Sequence, residues 1–250
     1  MSAVQLIYDS TCASTSATTC SWTVPAGVTA VTFELWGGGG GGGVPGASCN
    51  CCDRGGPGAG GGYAKYTVST VAGCIYTVQA GAAGVSSQGW GAYCGTCCNG
   101  CGGGTSYVTG YNIPSNFCAT GGTGGLSDFN TICYGNCGCN FCSTAPAGIG
   151  YNGQVIANGS SGIMGMYSSS GPLDQFVHGG HAGGPGGGAG GVNSTGDWIN
   201  SCSACAYVGD HSAHGRVPGG GGAGSGYYAC CQCTNWASGK GAPGLVRITY

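Results

Sequence analysis

The chain has 250 residues, of which 60 are Gly and 20 are Cys, while Asp, Glu, Lys and Arg make up 5% and leave a net charge of −2. Gly falls in irregular clusters with only 9 Pro, which excludes a collagen triple helix, and so small a net charge excludes a charge-expanded disordered chain. No apolar run nears the roughly 20 residues of a membrane helix, and blocks of like charge are absent, so neither membrane insertion nor nucleic-acid binding is expected.

In chain order, residues 4–8 (VQLIY) read as a short strand, followed by a Ser/Thr/Ala tether over 9–19 with no helical period. Residues 22–24 and 28–36 give two strand-like runs around the turn Pro25-Ala26-Gly27. Alternation of Val31, Phe33 and Leu35 against Thr32 and Glu34 buries one face, and the glycine run 37–43 ends the strand. Residues 63–71 and 74–79 form a second strand pair joined at Ala72-Gly73, and 244–250 (GLVRITY) a closing strand. The interval between these outer parts is too long to be one ordinary loop.

Glycine tracts occupy 55–62, 179–191 and 218–226. Their composition forbids a conventional helix. It permits either flexible linkers or three-residue-per-turn polyglycine helices, which hydrogen-bond to neighbours because no side chain holds them apart.

Residues 22–43 (WTVPAGVTAVTFELWGGGGGGG), then 55–84 (GGPGAGGGYAKYTVSTVAGCIYTVQAGAAG) and the terminal 239–250 (GKGAPGLVRITY) resemble, in content and order, the glycine-rich domain common in bacteriophage tail fibres and related virion proteins. The resemblance implies a structural or receptor-binding module, stacked polyglycine helices, and a homo-oligomer, a trimer by analogy, assembled with other virion proteins. Residues 85–216 depart from the family pattern in their cysteine density, which leaves the binding surface unassigned.

The N-terminal MSAVQLIYDS lacks the basic and then apolar pattern of a secretory signal, while 20 Cys suit an oxidising medium. A chain made in the cytoplasm, built into a virion and extracellular after lysis reconciles the two.

Six cysteine pairs have CxxC spacing: Cys49/Cys52, Cys94/Cys97, Cys98/Cys101, Cys139/Cys142, Cys202/Cys205 and Cys230/Cys233. Such pairs suit zinc, or iron, as thiolate knuckles. The even count, the scattered singles and the shortage of cationic groups favour a disulfide network instead. The four His form two HxxH pairs, His178/His181 and His211/His214. They are read first as exposed loop imidazoles and second as a transition-metal site completed across subunits.

The seven carboxylates offer no close couple for acid/base work, and no nucleophile elbow or phosphate loop is present, so no catalytic residue is expected. A GxGxxG match at Gly186, Gly188 and Gly191 carries no weight in so glycine-rich a chain. The aromatics Trp90, Tyr93, Tyr107, Tyr111, Trp198, Tyr207, Tyr227, Tyr228 and Trp236 are candidate contacts to a host-surface glycan or protein, since exposed Tyr and Trp stack at low entropic cost. For each singly, filling in for a missing aliphatic core is the simpler role.

The sequence thus predicts an all-β protein: a small β-sandwich or jelly-roll-like base (21–84 plus 239–250), an N-terminal strand and tether (1–20), and a glycine-rich, polyglycine II-like, loop-rich and disulfide-stapled insertion (85–238). The expected function is a non-catalytic tail-fibre or tip component that adheres to the host. The alternative is a self-assembling subunit, a capsid decoration protein or extracellular filament, joined by donation of the N-terminal strand.

Overall fold

A computed structural model of the chain describes residues 3–8, 17–43, 55–86, 88–90, 99–126, 145–165, 175–195, 214–224 and 235–250. Among them every regular element is a strand: β1 (Val4–Tyr8), β2 (Thr18–Thr23), β3 (Ala30–Trp36), β4 (Tyr63–Ser69), β5 (Ile75–Ala80), β6 (Gln88–Trp90), β7 (Ser106–Gly110), β8 (Cys118–Ala119), β9 (Gly150–Tyr151), β10 (Val155–Ala157), β11 (Ile163–Gly165), β12 (Gln175–His178), β13 (Val192–Thr195), β14 (Asn235–Ala237) and β15 (Leu245–Thr249). The protein is all-β.

Two antiparallel five-stranded sheets, β1-β15-β3-β4-β10 and β2-β5-β7-β8-β9, form a sandwich. The alternation read in β3 sets its core, where Val31, Phe33 and Leu35 meet Tyr76, Val78 and Val108 from the other sheet with Val246 and Ile248 alongside. Phe33 contacts Trp22 edge-on at 6.1 Å and Tyr76 at 5.1 Å, so aromatic rings supply volume that aliphatics supply elsewhere. Gly73 takes the φ of +85° that the β4–β5 turn demands.

Two features depart from the sequence reading. The strands β7, β8, β9 and β10 belong to the sandwich although they come from 85–238, the interval assigned to a separate insertion. They run only two to five residues each, too short to show a period among glycines. The outward face of β3 is also covered near its end: Glu34 is only 5% exposed and Trp36 2%.

Beyond the sandwich the strands continue as glycine tracts that pack on one another. In 37–43 every third peptide faces the same neighbour. Gly37, Gly40 and Gly43 donate to the carbonyls of Gly62, Ala59 and Gly56, Gly38 and Gly41 to Gly104 and Cys101, and Gly39 and Gly42 to Ala242 and Gly239. These partners run antiparallel. Three further tracts donate back: Gly84 to Gly39, Gly122 and Gly125 to Gly38 and Gly41, and Gly222 to Gly40. Six tracts therefore surround 37–43 with the three-residue period of polyglycine II.

The tracts 55–62 and 219–224 are likewise each bonded to six neighbouring segments, among them 179–183. The packed alternative to flexible linkers thus holds at 55–62, at 179–183 and 188–191 on either side of a turn, and at the described part of 218–226. Each ordered Gly loses more backbone entropy than any other residue, and this cost is offset by the inter-tract hydrogen bonds, worth about 1 kcal/mol each net, and by backbone-to-backbone contact.

Candidate functional site

The glycine bundle has two distinct ends. At one, its tracts pass into the sandwich strands. At the other, described residues flank six connecting segments, 44–54, 91–98, 127–144, 166–174, 196–213 and 225–234, whose own structure lies outside the described residues. Cross-links between the flanks show that they share this end. Gly43 donates to Gly56 and Gly56 to Leu126, Gly100 to Gly125, Gly42 to Gly239, Gly215 to Lys240, and Gly180, next to β12, to Gly58, while Gly162, next to β11, lies against Pro57.

Two short β structures sit beside these exits: the β6–β14 pair and the sheet β11-β12-β13. In the first, Trp90 lies opposite Asn235 and Trp236 opposite Gly89, so two of the candidate aromatics occupy adjacent strands. Tyr93, Trp198, Tyr207, Tyr227 and Tyr228 fall within the connecting segments, outside the described residues. Tyr107 and Tyr111 are not at this end. Tyr107 pairs with Cys118 within the sandwich, and Tyr111 is 52% exposed in the β7–β8 connection, remote from the bundle.

Fifteen of the 20 cysteines lie in five of the six connecting segments, among them Cys49, Cys52, Cys94, Cys97, Cys98, Cys139, Cys142, Cys202, Cys205, Cys230 and Cys233. All are outside the described residues. The described cysteines, Cys20, Cys74, Cys101 and Cys118, have free thiols. Cys101, named above as a disulfide candidate, is exposed, with its backbone held between Gly41 and Val85. Burial pushes the Cys118 thiol above its ordinary value, which keeps it protonated and weakly reactive.

His181 is exposed in irregular structure, and His178 and His214 are half-buried. His181 Nδ1 accepts from the Gly190 N–H at 3.3 Å, and His214 Nδ1 accepts from the Lys240 N–H at 2.9 Å. Each ring is thereby held with Nδ1 as acceptor. His178, half-buried at the end of β12, is pushed below the ordinary value of 6.5, first by burial and then by the charge of His181. His211 lies outside the described residues, and among those described no group of three or more His, Cys, Asp or Glu is arranged to hold a metal.

A polar cluster that the sequence reading did not single out joins the sandwich to the bundle. Glu34 receives hydrogen bonds from the Tyr63 hydroxyl at 2.8 Å and from Arg247 Nε at 2.7 Å, and Arg247 also stacks over Trp36 at 5.4 Å. Burial and the Glu34 charge push the Tyr63 phenol far above its ordinary range, so it donates at every ordinary pH. Glu34 is the one side-chain carboxylate among the described residues, and this cluster occupies it structurally. The register Glu34 opposite both Arg247 and Lys65 sets it up, a signal that needs strand pairing to be seen.

A β-sandwich extended by a backbone-bonded glycine bundle, with the flanks of six connecting segments at its far end, defines a glycine-rich all-β protein. The chain matches the glycine-rich domain family over residues 14–250 and belongs to it. No curated protein matches the chain.

Proposed function

We propose that the protein is a non-catalytic virion component, a phage tail-fibre or tip protein whose connecting segments contact the host surface. The observation that carries this reading is that the described residues flanking six connecting segments lie at one end of a bundle fixed by backbone hydrogen bonds. Such a scaffold holds binding segments at fixed spacing, so little ordering entropy is lost on contact. The segments contain Tyr93, Trp198, Tyr207, Tyr227 and Tyr228, side chains that stack on sugars and protein surfaces, and 15 cysteines available to cross-link them. The ligand class is a host-surface glycan or protein, the assembly a homo-oligomer with other virion proteins, and the location the particle and the extracellular medium after lysis.

The test is binding of purified, fluorescently labelled protein to candidate host cells. Wild type should bind saturably, and Trp198→Ala with Tyr207→Ala should lose binding with unchanged thermal stability. Absence of binding on every host tested, with assembly into particles intact, would leave the second reading, a self-assembling structural subunit. The edge position of β1 favours that alternative.

A further inference from the structure

From its place in the sandwich, we infer that β1 is an exchangeable strand through which one copy of this chain binds a second. Its partner surface is fixed by the structure: residues 4–8 pair throughout with β15, from Val4 opposite Thr249 to Tyr8 opposite Leu245, and Ala3 and Tyr250 exchange both backbone bonds beyond it. The edge it covers is core, because Val246 and Ile248 are fully buried. A β15 edge without this strand is therefore a ready acceptor for the same five-residue sequence from another chain.

The hold on β1 itself is slight. Ile7 is buried, but Val4 and Leu6 are 59% and 51% exposed and Gln5 is exposed too. Among the described residues its only ladder is to β15, and no described strand pairs with its other edge. Strands at free edges are ordinarily guarded by charge, Pro or a bulge, and VQLIY has neither charge nor Pro.

Chain length permits either route. β1 ends and β2 begins at the bundle side of the two sheets, opposite Leu245 and Ala80 respectively. Facing sheets are about 10 Å apart. The chain between Tyr8 and Thr18 reaches roughly 30 Å when extended, at about 3.3 Å per residue. The surplus lets β1 leave its own sheet for that of a neighbour held close by, where high effective concentration favours exchange over closure at home. This inference is independent of host binding.

Light scattering over a concentration series, with the synthetic peptide SAVQLIYD as competitor, tests it. Wild type should form concentration-dependent oligomers that excess peptide returns to monomers and that dissolve in a non-reducing denaturing gel. The Ile7→Asp variant should remain monomeric. The peptide arm stands alone if that variant does not fold. A wild type that stays monomeric at every concentration, or oligomers that excess peptide leaves unchanged, would overturn the inference.

Discussion

At the scale of single residues, what decides the bundle is the absence of a Cβ. A Cβ at Gly40 would lie 2.0 Å from the carbonyl oxygen of Thr123, and one at Gly41 2.1 Å from that of Val85. Neither obstacle is a flexible side chain, so the lattice must part. Gly102 differs. It is exposed, and a Cβ there would meet nothing nearer than 3.5 Å. Gly40→Ala is therefore expected to cost more than about 3 kcal/mol, and Gly102→Ala to stay within about 0.5 kcal/mol of wild type. Denaturant unfolding of the two variants side by side measures the contrast, and equal losses would mean that glycine is needed for chain flexibility rather than for close approach. The Tyr63 hydroxyl gives a second test at this scale. Its bond to Glu34 is made to a buried charge, so Tyr63→Phe should lower stability by about 2 kcal/mol in the same assay.

At the scale of elements, the outer strands and the tracts show what a sequence can and cannot display. β1, β3, β4, β5 and β15 were legible because β-branched and aromatic residues alternate there and turn residues bound them. β8 and β9, two residues each, exist because their neighbours already form a sheet, and no local pattern announces that. The tracts were legible as candidates for packing but not in their pairing. Glycine has no side chain to distinguish one neighbour from another, so partner choice comes from the strands that feed each tract. Likewise, the polar side of β3 reads as solvent-facing, yet Glu34 and Trp36 are buried with the cluster that joins sandwich to bundle.

His178 gives this scale its pH dependence. Its folded value is depressed, so the unfolded chain binds the proton more tightly, and the stability supplied by the neutral ring is complete above the ordinary value of 6.5. It is lost as pH falls through the folded value. Thermal melts should therefore decline on acidification below about pH 6.5 more steeply for wild type than for His178→Asn. Parallel declines would mean that the imidazole contributes no linkage.

At the scale of the whole molecule, the division of labour between scaffold and connecting segments makes a separable prediction. The bundle is bonded across residues far apart in sequence, as Gly42 is to Gly239 and Gly37 to Gly62. Its order thus depends on the tracts meeting, while the composition of the segments between them is set by other demands. Segment 196–213 holds Trp198, Tyr207, Cys202 and Cys205 and is flanked by β13 and by Gly215, itself bonded to Lys240. Replacing 196–213 with a Gly/Ser linker of equal length keeps the flanks within reach of each other, and a loop of unchanged length has the same closure entropy. If the segment serves contact alone, the variant should melt within a few degrees of wild type and lose cell binding. If its cysteines also brace the bundle end, the melt should fall by several degrees in the untreated protein, and reduction should bring wild type down to the variant. The pair of melts, with and without reductant, therefore separates the contact role of this segment from a stapling role.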